Sequence, residues 1–168
     1  MTFLIALTFF FIFLTVYVYV GYYVILLLLN KILPTKPTPN SENLPSVTMI
    51  IAAFNEAEVI RKKLENCREL DYPKDKLQVM VVADGSSDDT PDVAREFEAD
   101  GVLVLFSPER RGKSAALNRG VQQATGDILV LSDANAYYLP DAVKNLVAHY
   151  ADETVACVSG RKTVRESD

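Results

Sequence analysis

Apolar and polar positions divide this chain into two unlike parts. From Met1 to Asn30 apolar residues run almost without interruption, and no charged residue occurs. A helix over Thr2 to Leu29 would be roughly 40 Å long at about 1.5 Å per residue. A bilayer core is about 30 Å thick, so the pattern predicts one transmembrane helix at 1–30, with membrane lipid around it. A cleaved signal peptide wants a basic start and a shorter apolar core. Nothing basic precedes Lys31 and the apolar run is too long, which favours an uncleaved anchor. Lys31 and Lys36 follow at once, so the positive-inside rule predicts that the rest of the chain faces the cytoplasm.

The second part alternates. Residues 31–45 hold Pro34, Pro37, Pro39 and Pro45 among Thr, Asn and Ser, a composition that resists helix and ladder alike and predicts a linker. Short runs rich in Val, Ile and Leu then recur near 46–53, 77–83, 102–106, 127–132 and 154–159. They are nearly continuous rather than alternating, as strands buried on both faces are. Helical spacing fills the gaps: Ile60, Leu64 and Cys67; Leu117, Val121 and Ala124; Val143, Leu146, Val147 and Tyr150. Pro91 and Pro140 stand where first-turn prolines stand. Strand–helix alternation with short connections predicts an α/β domain over 46–168, a mainly parallel sheet flanked by helices.

Charge and unusual residues narrow the chemistry. The chain is acidic, with a sequence pI near 4.9, and has no basic stripe, which argues against nucleic acid as a partner. Cys67 and Cys157 each fall in apolar surroundings and are expected as small core residues. His149 is the sole histidine and is expected on a helix surface.

Polar clusters follow three of the apolar runs: Asn55-Glu56, Asp84-Gly85-Ser86-Ser87-Asp88 and Asp133-Ala134-Asn135. They define one rim of a parallel sheet, where open α/β sheets bind ligands. Asp84, at a strand end, is placed to accept a base N–H or ribose hydroxyls, while Asp88 and Thr90 read as a turn and helix cap. Arg110-Arg111-Gly112-Lys113-Ser114 has part of a P-loop, but Ser107 stands where that motif needs its first glycine, so the motif fails. A basic loop opening a helix still attracts phosphate. Asp133 and Asn135 lie two apart, so in an extended stretch they face one way. Two oxygen-bearing side chains so placed suit a hard cation, Mg²⁺ or Mn²⁺.

Taken in order, Ala53-Phe54-Asn55-Glu56, Asp84 to Asp88, Gly112-Lys113-Ser114-Ala115-Ala116-Leu117-Asn118-Arg119-Gly120 and Asp133-Ala134-Asn135, each after a strand, resemble the family-2 glycosyltransferases. The resemblance runs from Pro45 to about Arg165 and is to the membrane-bound type related to hyaluronan, chitin and poly-N-acetylglucosamine synthases. It implies a Rossmann-like GT-A nucleotide-sugar-binding domain. It also implies inverting transfer of a hexose from a UDP-linked donor to a saccharide or other acceptor, in polysaccharide or glycoconjugate synthesis. Roles follow from it as well. Ala53, Phe54, Asn55 and Glu56 match the first nucleotide-binding loop, and Asp84 the aspartate on the uracil–ribose part. Lys113 matches the basic residue near the donor, and Asp133 the first aspartate of the Asp-x-Asp metal motif.

Two departures matter. Asn135 replaces the second aspartate of that motif, and a neutral amide binds a cation less strongly than a carboxylate. The family places its general base and acceptor site after the donor half, and processive members add Gln-x-x-Arg-Trp. This sequence has no tryptophan and no residue matching the base. The expectation is therefore an incomplete donor-binding portion, with a second chain as one candidate source of the acceptor half. Two other classes stay open: a binding module or partner subunit without catalysis, and an unrelated α/β nucleotide-binding domain such as an NTPase, against which the failed P-loop spacing speaks.

Overall fold

The computed structural model describes residues 1–32 and 44–161. The chain forms two compact units, one holding the N-terminal helices and one holding the sheet. Most of the expected linker, residues 33–43, lies outside the described residues.

In the first unit, α1 (Thr2–Val16) passes through a π turn at Tyr17–Gly21 into α2 (Tyr22–Ile32). Helix therefore continues to Ile32, past the expected end at residue 30. No residue of α1 or the π turn is buried. The Thr8 and Thr15 hydroxyls donate to the Leu4 and Phe11 carbonyls, both at 2.9 Å. Each hydroxyl is thus satisfied within the helix, as a hydrocarbon surrounding would require. Thr2–Leu29 is long and apolar enough to cross a membrane, by length and composition.

The second unit is built on β1 (Val47–Ala53), β2 (Leu77–Asp84), β3 (Val102–Ser107) and β4 (Ile128–Asp133). All pairings are parallel, in the order β3-β2-β1-β4. Between them run α3 (Ala57–Arg68), α4 (Thr90–Arg95) and α5 (Lys113–Val121), and α6 (Ala142–Ala148) follows β4. Alternate strand residues feed two cores. Met49, Ile51, Val79 and Val81 meet Ile60 and Leu64 of α3, Ala94 of α4 and Val143 and Val147 of α6. On the other face Ile50, Met80 and Val82 meet Ala116 and Leu117 of α5. Period-2 alternation across two buried faces is why β1 and β2 read as unbroken apolar runs; β3 and β4 read the same way, yet Leu103, Leu129 and Leu131 on them are exposed. Gly120 lets α5 sit close to the sheet: a Cβ there would lie 2.6 Å from Ile50 Cγ2.

Several expectations need correction. The run at 154–159 is not a strand; residues 155–161 have no regular structure. Among the described residues it pairs with no neighbouring strand, and an extended segment needs one to satisfy its backbone. Cys157 is exposed there, whereas Cys67 is buried as expected. Ala124 lies beyond α5, because the buried Thr48 hydroxyl accepts the Gly126 N–H at 2.9 Å and the Thr125 N–H at 3.2 Å, drawing the chain away from the helix. Pro140 precedes α6 rather than opening it, and Asp141 takes the N-cap position.

Candidate functional site

β1 and β2 lie side by side with Ala53 opposite Ala83, and β4 flanks β1 with Asp133 opposite Ala52. Three strands thus end at one level, and the loops that follow them face one another. The β1 loop turns sharply because Asn55 adopts a left-handed conformation, φ 53°, which Asn tolerates better than most residues. The Asn55 Oδ1 accepts the Ser87 N–H at 2.9 Å, and the Asn55 N–H donates to Ser86 Oγ at 3.2 Å. The Glu56 N–H donates to Thr90 Oγ1 at 2.8 Å and the Ala57 N–H to Asp88 Oδ2 at 3.1 Å. These bonds stitch the first loop to the second. Desolvation works against the Asp88 charge, but hydrogen bonds from the Thr90 hydroxyl and from the Ala57 and Thr90 N–H groups outweigh it and hold the carboxyl below its ordinary value.

Asp84, at the end of β2, is buried. Its Oδ2 accepts the N–H groups of Arg111 at 2.8 Å and Gly112 at 2.7 Å. Its Oδ1 has no hydrogen-bond partner; the nearest cation is Arg119, with Nη2 at 3.8 Å. The next residue must be glycine. Gly85 has φ 70°, and a Cβ would stand 2.6 Å from the Arg110 backbone nitrogen. The basic loop is thereby pressed onto the end of β2, and the Arg110 guanidinium lies 3.8 Å from the Phe54 ring centroid, within cation–π range.

Lys113, at the start of α5, pairs with Asp133 at 2.5 Å between Nζ and Oδ1. Both side chains are more than half exposed, so the pair adds little to stability. Ala134 is buried while Asp133 and Asn135 are exposed, but the Ala136 N–H donates to the Asp133 carbonyl at 3.1 Å, so the segment is a turn and not the extended stretch expected.

The result is an open cleft of about 340 Å³, lined by Ala53, Phe54, Glu56, Asp84, Lys113, Asp133 and Asn135 and also by Arg110. Asn55, expected among the ligand-binding residues, is not in the lining; its side chain fastens the loops together. Among the described residues no group of three or more His, Cys, Asp or Glu could hold a metal ion. One carboxylate and one amide fit a hard cation whose other ligands come from phosphate oxygens and water, the usual arrangement for Mg²⁺.

Two contributors carry no role in the sequence reading, Lys63 and Asn66; Arg110 enters it only within the phosphate-attracting basic loop and Arg119 only within the Gly112–Gly120 stretch. Lys63 is fully buried on α3. The signal was present, since Lys63 lies three residues after Ile60 and four before Cys67, within the apolar stripe. Its Nζ donates to the Ala136 carbonyl and lies 4.2 Å from the Tyr138 ring centroid. Burial pushes its pKa down from 10.5 to about 8, with Cys67 and Asp133 pulling the other way. Between these values the unfolded chain keeps a proton that the folded chain releases, so stability rises with pH across that window. Urea unfolding of the full chain in detergent at pH 8 and pH 10 should therefore show wild type gaining on Lys63→Met, by about 2 kcal/mol. Parallel pH profiles for the two proteins would refute this.

A parallel sheet in this order, with a polar cleft where β1 sends the chain to neighbours on both sides, defines a Rossmann-like nucleotide-binding domain. Comparison with known proteins carries this further. The sequence model described as glycosyl transferase family 2 matches residues 48–168, and the chain belongs to that family. A mannosyltransferase from Pyrobaculum calidifontis, solved with GDP-Man and Mn²⁺, superposes with a TM-score of 0.70 at 39% identity, over 76% of this chain and 39% of that one. The fold is therefore of the GT-A type. The poly-beta-1,6-N-acetyl-D-glucosamine synthase of Staphylococcus aureus is 31% identical over 82% of this chain and 32% of its own length. The beta-monoglucosyldiacylglycerol synthase of Trichormus variabilis is 34% identical over 73% of this chain and 27% of its own. The chain thus spans about a third of the length of these curated relatives.

Proposed function

We propose that this chain is the donor-binding part of a membrane-anchored glycosyltransferase that takes a hexose from a nucleotide sugar. The observation that carries the reading is convergence: Phe54, Asp84, Lys113, Asp133 and Asn135 come from three strand ends and one helix start to line a single cleft. Asp84 Oδ1, buried beside Arg119 Nη2 at 3.8 Å and without a hydrogen bond, is the acceptor assigned to a nucleoside N–H or hydroxyl. With Oδ2 held by two backbone N–H groups, one oxygen is left, enough for the ring N–H of uracil but not for the paired N1–H and N2–H donors of guanine, which favours a UDP-linked donor. Phe54 lines the cleft beside Asp84 with Arg110 over its ring, which gives the base an apolar and cationic wall. Lys113 brings positive charge beside the diphosphate. Asp133 and Asn135 would hold Mg²⁺ or Mn²⁺, which supplies Lewis-acid stabilisation of the departing diphosphate. The acceptor and the general base are assigned to no residue of this chain.

Isothermal titration of the full chain in nanodiscs against UDP- and GDP-sugars, with and without Mn²⁺, tests the reading. UDP-sugar binding that tightens with Mn²⁺ is expected. No binding of any nucleotide sugar would remove the donor role, and a preference for GDP-sugars would correct the base.

The same reading puts the sheet unit on the cytoplasmic side of a membrane, supported by the apolar helix and by Lys31 in its last turn. The protein should resist alkaline carbonate extraction, and a C-terminal tag should be protease-sensitive only after cells are opened. Release by carbonate, or a tag cleaved on intact cells, would contradict anchor or orientation respectively.

A further inference from the structure

We propose that Lys63 and Asn66 of α3 are positioning residues that brace the loop after β4, so that Asp133 and Asn135 are held at a set distance from the nucleoside side of the cleft. The inference rests on the nucleotide-sugar reading above.

The brace is a series of grips on alternate residues. Lys63 Nζ donates to the Ala136 carbonyl at 2.5 Å. The Asn66 amide clasps Tyr138 from both sides, Nδ2 donating to its carbonyl and Oδ1 accepting its N–H, each at 2.8 Å. Just beyond α3, the Asp71 N–H donates to the Pro140 carbonyl at 2.8 Å. Residues 136, 138 and 140 are thus fastened through their backbones, while Tyr137 and Leu139 between them are exposed, as are Asp133 and Asn135 just before. The Ala136 N–H closes the turn onto the Asp133 carbonyl at 3.1 Å, so a hold on Ala136 bears on both cleft residues.

The other end of α3 grows out of the nucleoside loop. Its first turn is held through Ala57 to Asp88 and through Glu56 to Thr90. One rigid helix therefore connects the two sides of the cleft, with about 15 Å between Glu56 and Asn66 at about 1.5 Å per residue. A fully buried lysine is costly beside an apolar residue of similar size. Its ammonium is committed to a backbone carbonyl of this loop, and its lowered pKa reflects the burial. An apolar side chain would fill the same space without holding the loop.

The test uses the full chain in nanodiscs, with Lys63→Met, which keeps the bulk, and Asn66→Ala, at a position only half-buried. UDP affinity is titrated with and without Mn²⁺, and hydrogen exchange is followed across 134–138. Exchange should rise in both variants. The Mn²⁺-dependent gain in affinity should fall about 10-fold, as when a group supporting a metal ligand is removed, while metal-free UDP binding stays within about twofold. If Lys63→Met fails to fold, Asn66→Ala alone decides. Equal weakening with and without Mn²⁺, or a full Mn²⁺ gain despite faster exchange, would overturn the proposal. Wild type binding UDP with no Mn²⁺ gain would overturn it too, and wild type binding no nucleotide would sink the donor reading itself.

Discussion

Asp84→Ala is expected to weaken both the domain and its hold on nucleotide. The carboxylate accepts two backbone N–H groups, from Arg111 and Gly112, and is buried where it does so. A hydrogen bond to a charged group is worth about 1.5–3 kcal/mol. Partial replacement by water leaves an expected destabilisation of about 2–4 kcal/mol, a large share of the roughly 5–15 kcal/mol that holds a domain together. Nucleotide affinity should fall by about one to two decades, because the nucleoside no longer finds an acceptor at Oδ1. Asp84→Asn separates the two roles. Its amide oxygen can still accept the loop N–H groups, but its NH₂ then faces the N–H of the base. Urea unfolding should show Asp84→Asn losing less stability than Asp84→Ala, about 1–2 kcal/mol from the lost charge on the two loop bonds and beside Arg119, while titration shows UDP binding abolished. Wild-type affinity in Asp84→Asn would make Asp84 a loop anchor and nothing more.

Asp133→Ala should behave in the opposite way. Its partner Lys113 and Asp133 itself are both largely exposed, so unfolding should change by less than about 1 kcal/mol. Its carboxylate is the one charged oxygen ligand beside Asn135. Removing it should cut the Mn²⁺-dependent part of nucleotide affinity by about 100-fold, at the upper end of what is typical for groups that only support a ligand. Asn135→Asp supplies a second carboxylate and should tighten Mn²⁺ binding instead. Titration of Mn²⁺ in the presence of UDP reads both. An unaltered Mn²⁺ response in Asp133→Ala would move the cation away from this loop.

Local pattern was enough to order the elements of the sheet unit as far as α6, to mark the apolar helix before it and to point to the family. Buried parallel strands must be apolar on both faces, and amphipathic helices must repeat near 3.6 residues, so both are legible along the chain. The run at 154–159 misled because a strand is defined by its neighbour, and its own residues carry no record of whether one is present. Spacing also put Asp84, Lys113 and Asp133 at one rim of the sheet, and the structure brings them to one cleft. The division of labour at that rim came from packing. Asn55, expected as a ligand contact, also fastens two loops because Ser86 and Ser87 come to meet it. Asp84 acquired one oxygen with hydrogen bonds and one without because Gly85 lets Arg110 to Gly112 approach so closely. Lys63 and Asn66 found their partners 73 and 72 residues away. Hydrogen bonds of that separation depend on where the packed sheet and helices carry the chain, and no local pattern encodes them.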